Sequence, residues 1–100
     1  MIKFALLGTG RIGKVHAANI ALNSKCSIEC IYDLNTNTAN EVAKLHGGKV
    51  VLSPEEAISN PKVDIVYICT ATPTHTEFIL MAAKAGKAIF CEKPIDLDIN

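Results

Sequence analysis

The chain has 100 residues, of which 49% are apolar and 20% charged, and ten basic residues balance ten acidic ones. That length suits a single domain with one modest core. No basic run, basic-aromatic stripe or apolar stretch of about 18 residues occurs, so the usual footprints of a nucleic-acid partner and of a membrane span are both missing. Met1 to Phe4 leads straight into an apolar run ending at Gly8, without a small-residue cleavage site. That argues against a secretory leader and makes the cytoplasm the expected compartment. Cys26, Cys30, Cys69 and Cys91 form no C-x-x-C pair. They are expected to be buried reduced thiols rather than a metal site.

In chain order, Lys3 to Leu7 reads as a first strand. Arg11 to Leu22 reads as a helix, with Ile12, Val15 and Leu22 on one stripe and Ala17, Ala18 and Ala21 keeping it slim. Ser27 to Tyr32 is a second strand. Thr38 to His46 is a helix with Ala39, Val42, Ala43 and His46 at helical spacing, stopped by Gly47-Gly48. Lys49 to Leu52 is a short third strand. Ser53-Pro54-Glu55-Glu56 opens a helix with a capping serine and a proline suited to the first position. Ile65 to Cys69 is a continuous apolar run, expected to be a strand buried on both faces. Thr74-His75-Thr76-Glu77 reads as a second capping box, opening a helix to about Ala85. Ala88 to Cys91 is a fifth strand. The alternation predicts an α/β fold: a Rossmann-type parallel sheet in the order 3-2-1-4-5, helices on both faces.

Gly8-Thr9-Gly10-Arg11-Ile12-Gly13 matches G-x-G-x-x-G between the first strand and first helix. Gly8 permits the tight turn, Gly10 lets a pyrophosphate approach the backbone, and Gly13 lets the helix pack closely. The helix N-terminus, with Arg11 and Ile12 in its first turn, faces the phosphates. Asp33 ends the second strand 20 residues beyond Gly13, where a carboxylate accepts from ribose hydroxyls. It repels a 2′-phosphate and no arginine is near, so NAD is expected over NADP. A glycine turn needed only for packing is the plainer reading of the same residues.

Ligands of open α/β sheets bind beyond the carboxyl ends of the strands. Thr70-Ala71-Thr72-Pro73-Thr74-His75 follows the fourth strand there, with small residues, hydroxyls and a histidine that is either a cofactor contact or merely exposed. Glu92-Lys93-Pro94 follows the fifth, where a lysine on the nicotinamide side can orient a hydroxyl substrate and help move its proton. Most lysines are only solvated charges. His16, inside the first helix, reads as a packed and hydrogen-bonded residue.

The set Gly8-Thr9-Gly10-Arg11-Ile12-Gly13, Asp33, Thr72-Pro73 with His75, and Cys91-Glu92-Lys93-Pro94 resembles the glucose–fructose oxidoreductase/inositol dehydrogenase family from Ile2 to about Leu97. Within it, the likeness to myo-inositol 2-dehydrogenases is greatest. The resemblance implies oxidation of a secondary alcohol on a cyclic polyol or sugar, with hydride passing to a nicotinamide. It implies that Lys93 lies beside substrate and nicotinamide as the catalytic residue of this chain. It places Thr70, Ala71, Thr72, Pro73, His75 and Glu92 at the cofactor, with a cis peptide before Pro94. It also implies a second domain that carries substrate contacts, the homo-oligomer interface, and a catalytic Asp and His. None of His16, His46 and His75 matches that histidine. The 100 residues thus read as the N-terminal cofactor-binding domain of a longer enzyme, inactive alone, and the lack of a covering element predicts an exposed apolar edge at Ala88 to Cys91. Two other functions stay open on the residues alone. One is a non-catalytic NAD-binding or sensor module. The other is a methyltransferase binding S-adenosylmethionine, which the third glycine and Lys93 fit less well.

Overall fold

A computed structural model of the chain describes residues 1–70 and 72–91, apart from the side chains of 72–75. Among these residues five strands and four helices alternate: β1 (Ile2–Leu7), α1 (Arg11–Leu22), β2 (Cys26–Tyr32), α2 (Thr36–His46), β3 (Lys49–Val50), α3 (Pro54–Ile58), β4 (Ile65–Ile68), α4 (Thr72–Lys84) and β5 (Ala88–Cys91). All strand pairs are parallel and the order is β3-β2-β1-β4-β5, as the alternation predicts. The chain winds outward from β1 to β3 and then returns to the other side of β1. The helices that follow β1 and β4 therefore leave on opposite faces and open a crevice at the carboxyl ends of those strands.

Side-chain alternation along β1 builds a core on each face of the sheet. Ala5 and Leu7 join Cys30, Val66 and Ile68 under α3 and α4, which contribute Ala57, Ile58, Phe78 and Ala82. Phe4 and Leu6 join Ile28 and Ile31 under α1 and α2, which contribute Ala17, Ile20, Ala39 and Val42. Ile28 and Cys30 would share a face in a regular strand. A bulge intervenes, because Phe4 is opposite Ile28 whereas Ala5 is opposite Cys30. Glu29 is the extra residue, and it turns Cys30 to the other face.

Several boundaries and faces differ from the sequence expectation. The expected stripe of α1 is largely solvated: Val15 is 51% and Leu22 84% exposed, while Gly13, Ala17 and Ile20 are buried. The smallest residues face inward because α1 lies close against the turn after β1, and larger side chains would hold it off. Helix α2 starts at Thr36 rather than Thr38, since Asn35 accepts from the Asn37 and Thr38 N–H groups at 3.0 and 3.4 Å. Strand β3 is only two residues long, and Leu52 is 80% exposed. Helix α4 starts at Thr72, so Thr74 lies within it rather than before it, and the capping role expected of its side chain lies outside the described residues. Pro73 suits that first turn, where a fixed φ and a missing N–H cost nothing. Strand β4 ends at Ile68 and is not buried on both faces: Val66 and Ile68 are buried, Ile65 and Tyr67 only half-buried. The cap at Ser53 is as read, its hydroxyl accepting from the Glu56 N–H at 3.1 Å. Among the described residues β5 is the outermost strand on that side of the sheet, with Phe90 half exposed.

Candidate functional site

The turn between β1 and α1 is built around its glycines. Gly8 has φ +104°, and a Cβ there would stand 2.7 Å from the Cys69 carbonyl carbon and oxygen and 2.9 Å from the Thr70 nitrogen. The turn thus passes directly against the carboxyl end of β4. A Cβ on Gly13 would run into the Gly8 carbonyl, so this residue sets how closely α1 approaches its own strand. Gly10 differs from both. A Cβ on it would meet nothing within 4 Å, so its missing side chain leaves open space in front of α1. No side chain caps this helix. The first N–H groups of α1, including those of Arg11 and Ile12, therefore face that space as an anion cradle.

Asp33, one residue beyond β2, is tied to the same turn. Its Oδ2 accepts from the Thr9 N–H at 2.6 Å and from the Thr9 hydroxyl at 2.8 Å, while its Oδ1 accepts from the Asn35 N–H at 2.8 Å. Thr9 is fully buried, and its hydroxyl also lies 2.7 Å from that of Thr38. The carboxylate is held by three donors at the mouth of the crevice and remains part-exposed. Thr9 was not singled out by the sequence, although it fills a variable position of the glycine motif beside a carboxylate that needs a donor.

A cleft of about 490 Å³ opens here, bringing together Gly8, Gly10, Asp33 and Thr70. One wall is apolar, from Tyr32, Leu34, Phe78 and Met81, a surface suited to a flat aromatic ring. Glu55 of α3 and Glu77 of α4 also line it. Its charged lining among the described residues is therefore three carboxylates and no cation, which suits uncharged ribose hydroxyls and opposes a further phosphate. The part of the wall from Glu55, Glu77, Phe78 and Met81 was not legible as a binding surface in the sequence, because it comes from α3 and α4, elements distant from the glycine motif. Arg11, Ile12 and Gly13 do not line the cleft itself. Ala71, Glu92, Lys93 and the bond before Pro94 lie outside the described residues, as do the side chains of Thr72, Pro73 and His75.

The remaining candidates have structural explanations. His16 is half-buried and stacks on Tyr67 with ring centroids 4.5 Å apart, its ring nitrogens 3.0 and 3.2 Å from the tyrosine hydroxyl. This is the packed, hydrogen-bonded histidine expected. No disulfide links the four cysteines, but only Cys30 is buried; Cys26 and Cys69 are half-buried and Cys91 is exposed. The expectation of four buried thiols fails because β5 is the outermost strand among the described residues and the sides of β2 and β4 that face α1 are only partly covered. Burial, aided by Glu29 and Glu56, pushes the Cys30 thiol up to about 11. It is a packing residue, not a nucleophile. No cluster of metal-ligating side chains occurs among the described residues, and no described helix is long and apolar enough to cross a membrane.

A parallel sheet in this order, with a glycine turn and a carboxylate flanking its crevice, defines a dinucleotide-binding α/β domain. Comparison with known proteins makes this specific. Residues 2–100 match the oxidoreductase family described as having an NAD-binding Rossmann fold, and the chain belongs to that family, as its NAD-binding part. It is 45% identical over 98 residues to inositol 2-dehydrogenase of Rhizobium meliloti, covering 97% of this chain and 29% of that protein. It is 36% identical over 99 residues to myo-inositol 2-dehydrogenase of Thermotoga maritima, covering 98% and 30%. The crystal structure of a myo-inositol dehydrogenase from Corynebacterium glutamicum superposes with a TM-score of 0.88 at 41% identity, covering 98% of this chain and 29% of that one. The chain thus spans about three-tenths of the length of these relatives.

Proposed function

We propose that this chain holds NAD in the crevice above β1, β2 and β4, as the cofactor-binding domain of a dehydrogenase acting on a secondary alcohol of a cyclic polyol. The observation that carries the reading is the pairing of the open space at Gly10, before an uncapped helix, with the carboxylate of Asp33 beside it. The pyrophosphate lies on the N–H groups of Arg11, Ile12 and Gly13, with Gly8 shaping the turn. The adenosine ribose donates to Asp33, and the adenine lies along Leu34, Phe78 and Met81. Asp33, Glu55 and Glu77 oppose a 2′-phosphate, which favours NAD over NADP.

The bound nicotinamide supplies the hydride-accepting carbon. Thr70, Ala71, Thr72, Pro73, His75 and Glu92 border that half of the cofactor, and Lys93 orients the substrate hydroxyl and supports loss of its proton. The inositol dehydrogenase names of the relatives support a polyol substrate. In this reading the substrate contacts, the catalytic Asp and His and the homo-oligomer interface belong to a second domain of a longer cytoplasmic enzyme. The test is an assay of NAD reduction by the full-length protein with myo-inositol, scyllo-inositol and aldoses. At least one cyclic polyol is expected to be oxidised, and Lys93→Met is expected to abolish turnover while NAD still binds. Binding of NAD with no oxidation of any polyol or sugar would overturn the substrate assignment.

A further inference from the structure

We propose that Asp33 grips one hydroxyl of the adenosine ribose rather than two, through Oδ1 alone, and that Thr9 is the positioning residue that imposes this by filling Oδ2. This rests on the reading that Asp33 holds that ribose. A ribose offers two neighbouring hydroxyls, and a carboxylate with both oxygens turned to it can take one on each. An ionised carboxylate has about four acceptor positions, two on each oxygen. In Asp33, Oδ2 receives the Thr9 N–H at 2.6 Å and the Thr9 hydroxyl at 2.8 Å, which fills both of its positions. Among the described residues Oδ1 receives the Asn35 N–H alone, at 2.8 Å and on the exposed side. The acceptor position left for a ligand is therefore on Oδ1.

The surroundings of Thr9 hold this arrangement in place. Thr9 is fully buried, so its oxygen stays against Oδ2 and no ligand reaches that side of the carboxylate. A charged oxygen is the stronger acceptor, so the Thr9 proton goes to Asp33. The Thr9 oxygen also lies 2.7 Å from the Thr38 oxygen, and the Thr38 proton fills that contact. Thr38 thus backs Thr9 from α2, and Thr9 in turn keeps Oδ2 facing inward. The Thr9 N–H belongs to the main chain and would remain with any other residue but proline. Only the hydroxyl is particular to the side chain. The residue at this variable place of the glycine motif therefore sets how many ribose hydroxyls the carboxylate holds.

Calorimetric titration of the chain with NAD and with two analogues, one lacking the adenosine 2′-hydroxyl and one the 3′-hydroxyl, tests this. One analogue is expected to bind about tenfold more weakly than NAD, the worth of one hydrogen bond to a carboxylate, and the other within about twofold of NAD. In Asp33→Ala that gap is expected to vanish. Thr9→Val keeps the side-chain shape and the N–H but sets a methyl group against Oδ2. The carboxylate then turns Oδ2 outward to regain a partner, and the two analogues are expected to come within about threefold of each other. Thr9→Ser keeps the hydroxyl and is expected to keep the gap. Thr9→Cys, whose thiol is a weak donor, replaces valine if valine unfolds the chain. A Thr9 of purely structural importance would weaken all three ligands alike and leave the gap, which overturns the proposal, as does loss of the gap in Thr9→Ser. Equal losses for both analogues in the wild-type chain also overturn it, and leave the ribose reading of Asp33 standing. A wild-type chain indifferent to both hydroxyls, or a gap that persists in Asp33→Ala, overturns that reading and this proposal with it.

Discussion

Gly13 lies so close to Gly8 that a Cβ on the first would overlap the carbonyl oxygen of the second. The two residues lock the start of α1 onto the end of β1, and so fix where the helix N-terminus points. Gly10, between them, faces open space. The three glycines of one motif thus divide into two that shape the fold and one that leaves room.

Gly13→Ala is accordingly expected to cost stability. Either α1 or the turn must shift, an overpacking cost of about 1–3 kcal/mol. Denaturant unfolding of the variant should show a lower midpoint with little change in slope.

Gly10→Ala is expected to behave in the opposite way. Its φ of −71° is ordinary for alanine, and the new methyl group meets nothing, so stability should change by no more than about 1 kcal/mol. NAD affinity should fall at least about tenfold, because the methyl group occupies the space left for the pyrophosphate. Thermal melts with and without NAD separate the two effects: the melting point without NAD is kept and the rise on adding NAD is lost.

That division shows how far the sequence could be read. The order of elements and the sheet order follow from alternating apolar runs and glycine stops, and the structure has both. The face of α1 does not follow, because hydrophobicity marks Val15 and Leu22 while contact with the turn selects Gly13 and Ala17. The start of α2 was missed because the Asn35 side chain decides it, not periodicity. In the site, Gly8, Gly10 and Asp33 are legible from spacing. Thr9 is not, since its role comes from a hydrogen bond spanning 24 residues. Glu55 and Phe78 carry no signal for the cleft until α3 and α4 are folded beside β2.

Replacing Asp33 is expected to affect both binding and folding. In Asp33→Ala the buried Thr9 loses the acceptor of its N–H and a partner of its hydroxyl, a cost of about 1–3 kcal/mol in unfolding experiments. Asp33→Asn keeps one acceptor oxygen for Thr9 and should restore part of that stability, while NAD affinity stays reduced because the ribose loses the carboxylate charge.

Cofactor choice is expected to be reversible at the same rim. Leu34 lines the cleft and is 90% exposed, so an arginine there reaches solvent and ligand without repacking. Asp33→Ser with Leu34→Arg removes one negative charge and adds a positive one. Titration of this double variant should show NADP binding more tightly than NAD.

Cys30 gives a pH signature. Its thiol rises from 9.0 to about 11 on folding, chiefly through burial. The folded form therefore holds its proton where the unfolded thiol has lost it. The stabilisation is complete below pH 9 and is lost as pH rises from 9 through 11. Cys30→Ala should be less stable at neutral pH because of the cavity, yet lose less further stability over that alkaline window.

The most direct test of the whole account is calorimetric titration of the purified chain with NAD and NADP, beside the Asp33→Ala variant checked for an intact fold by circular dichroism. Saturable binding of NAD, weaker binding of NADP, and a loss of about tenfold or more in NAD affinity on removing the carboxylate are predicted. A folded chain that takes up neither coenzyme, or an Asp33→Ala variant that binds NAD as tightly as the wild type, would contradict it.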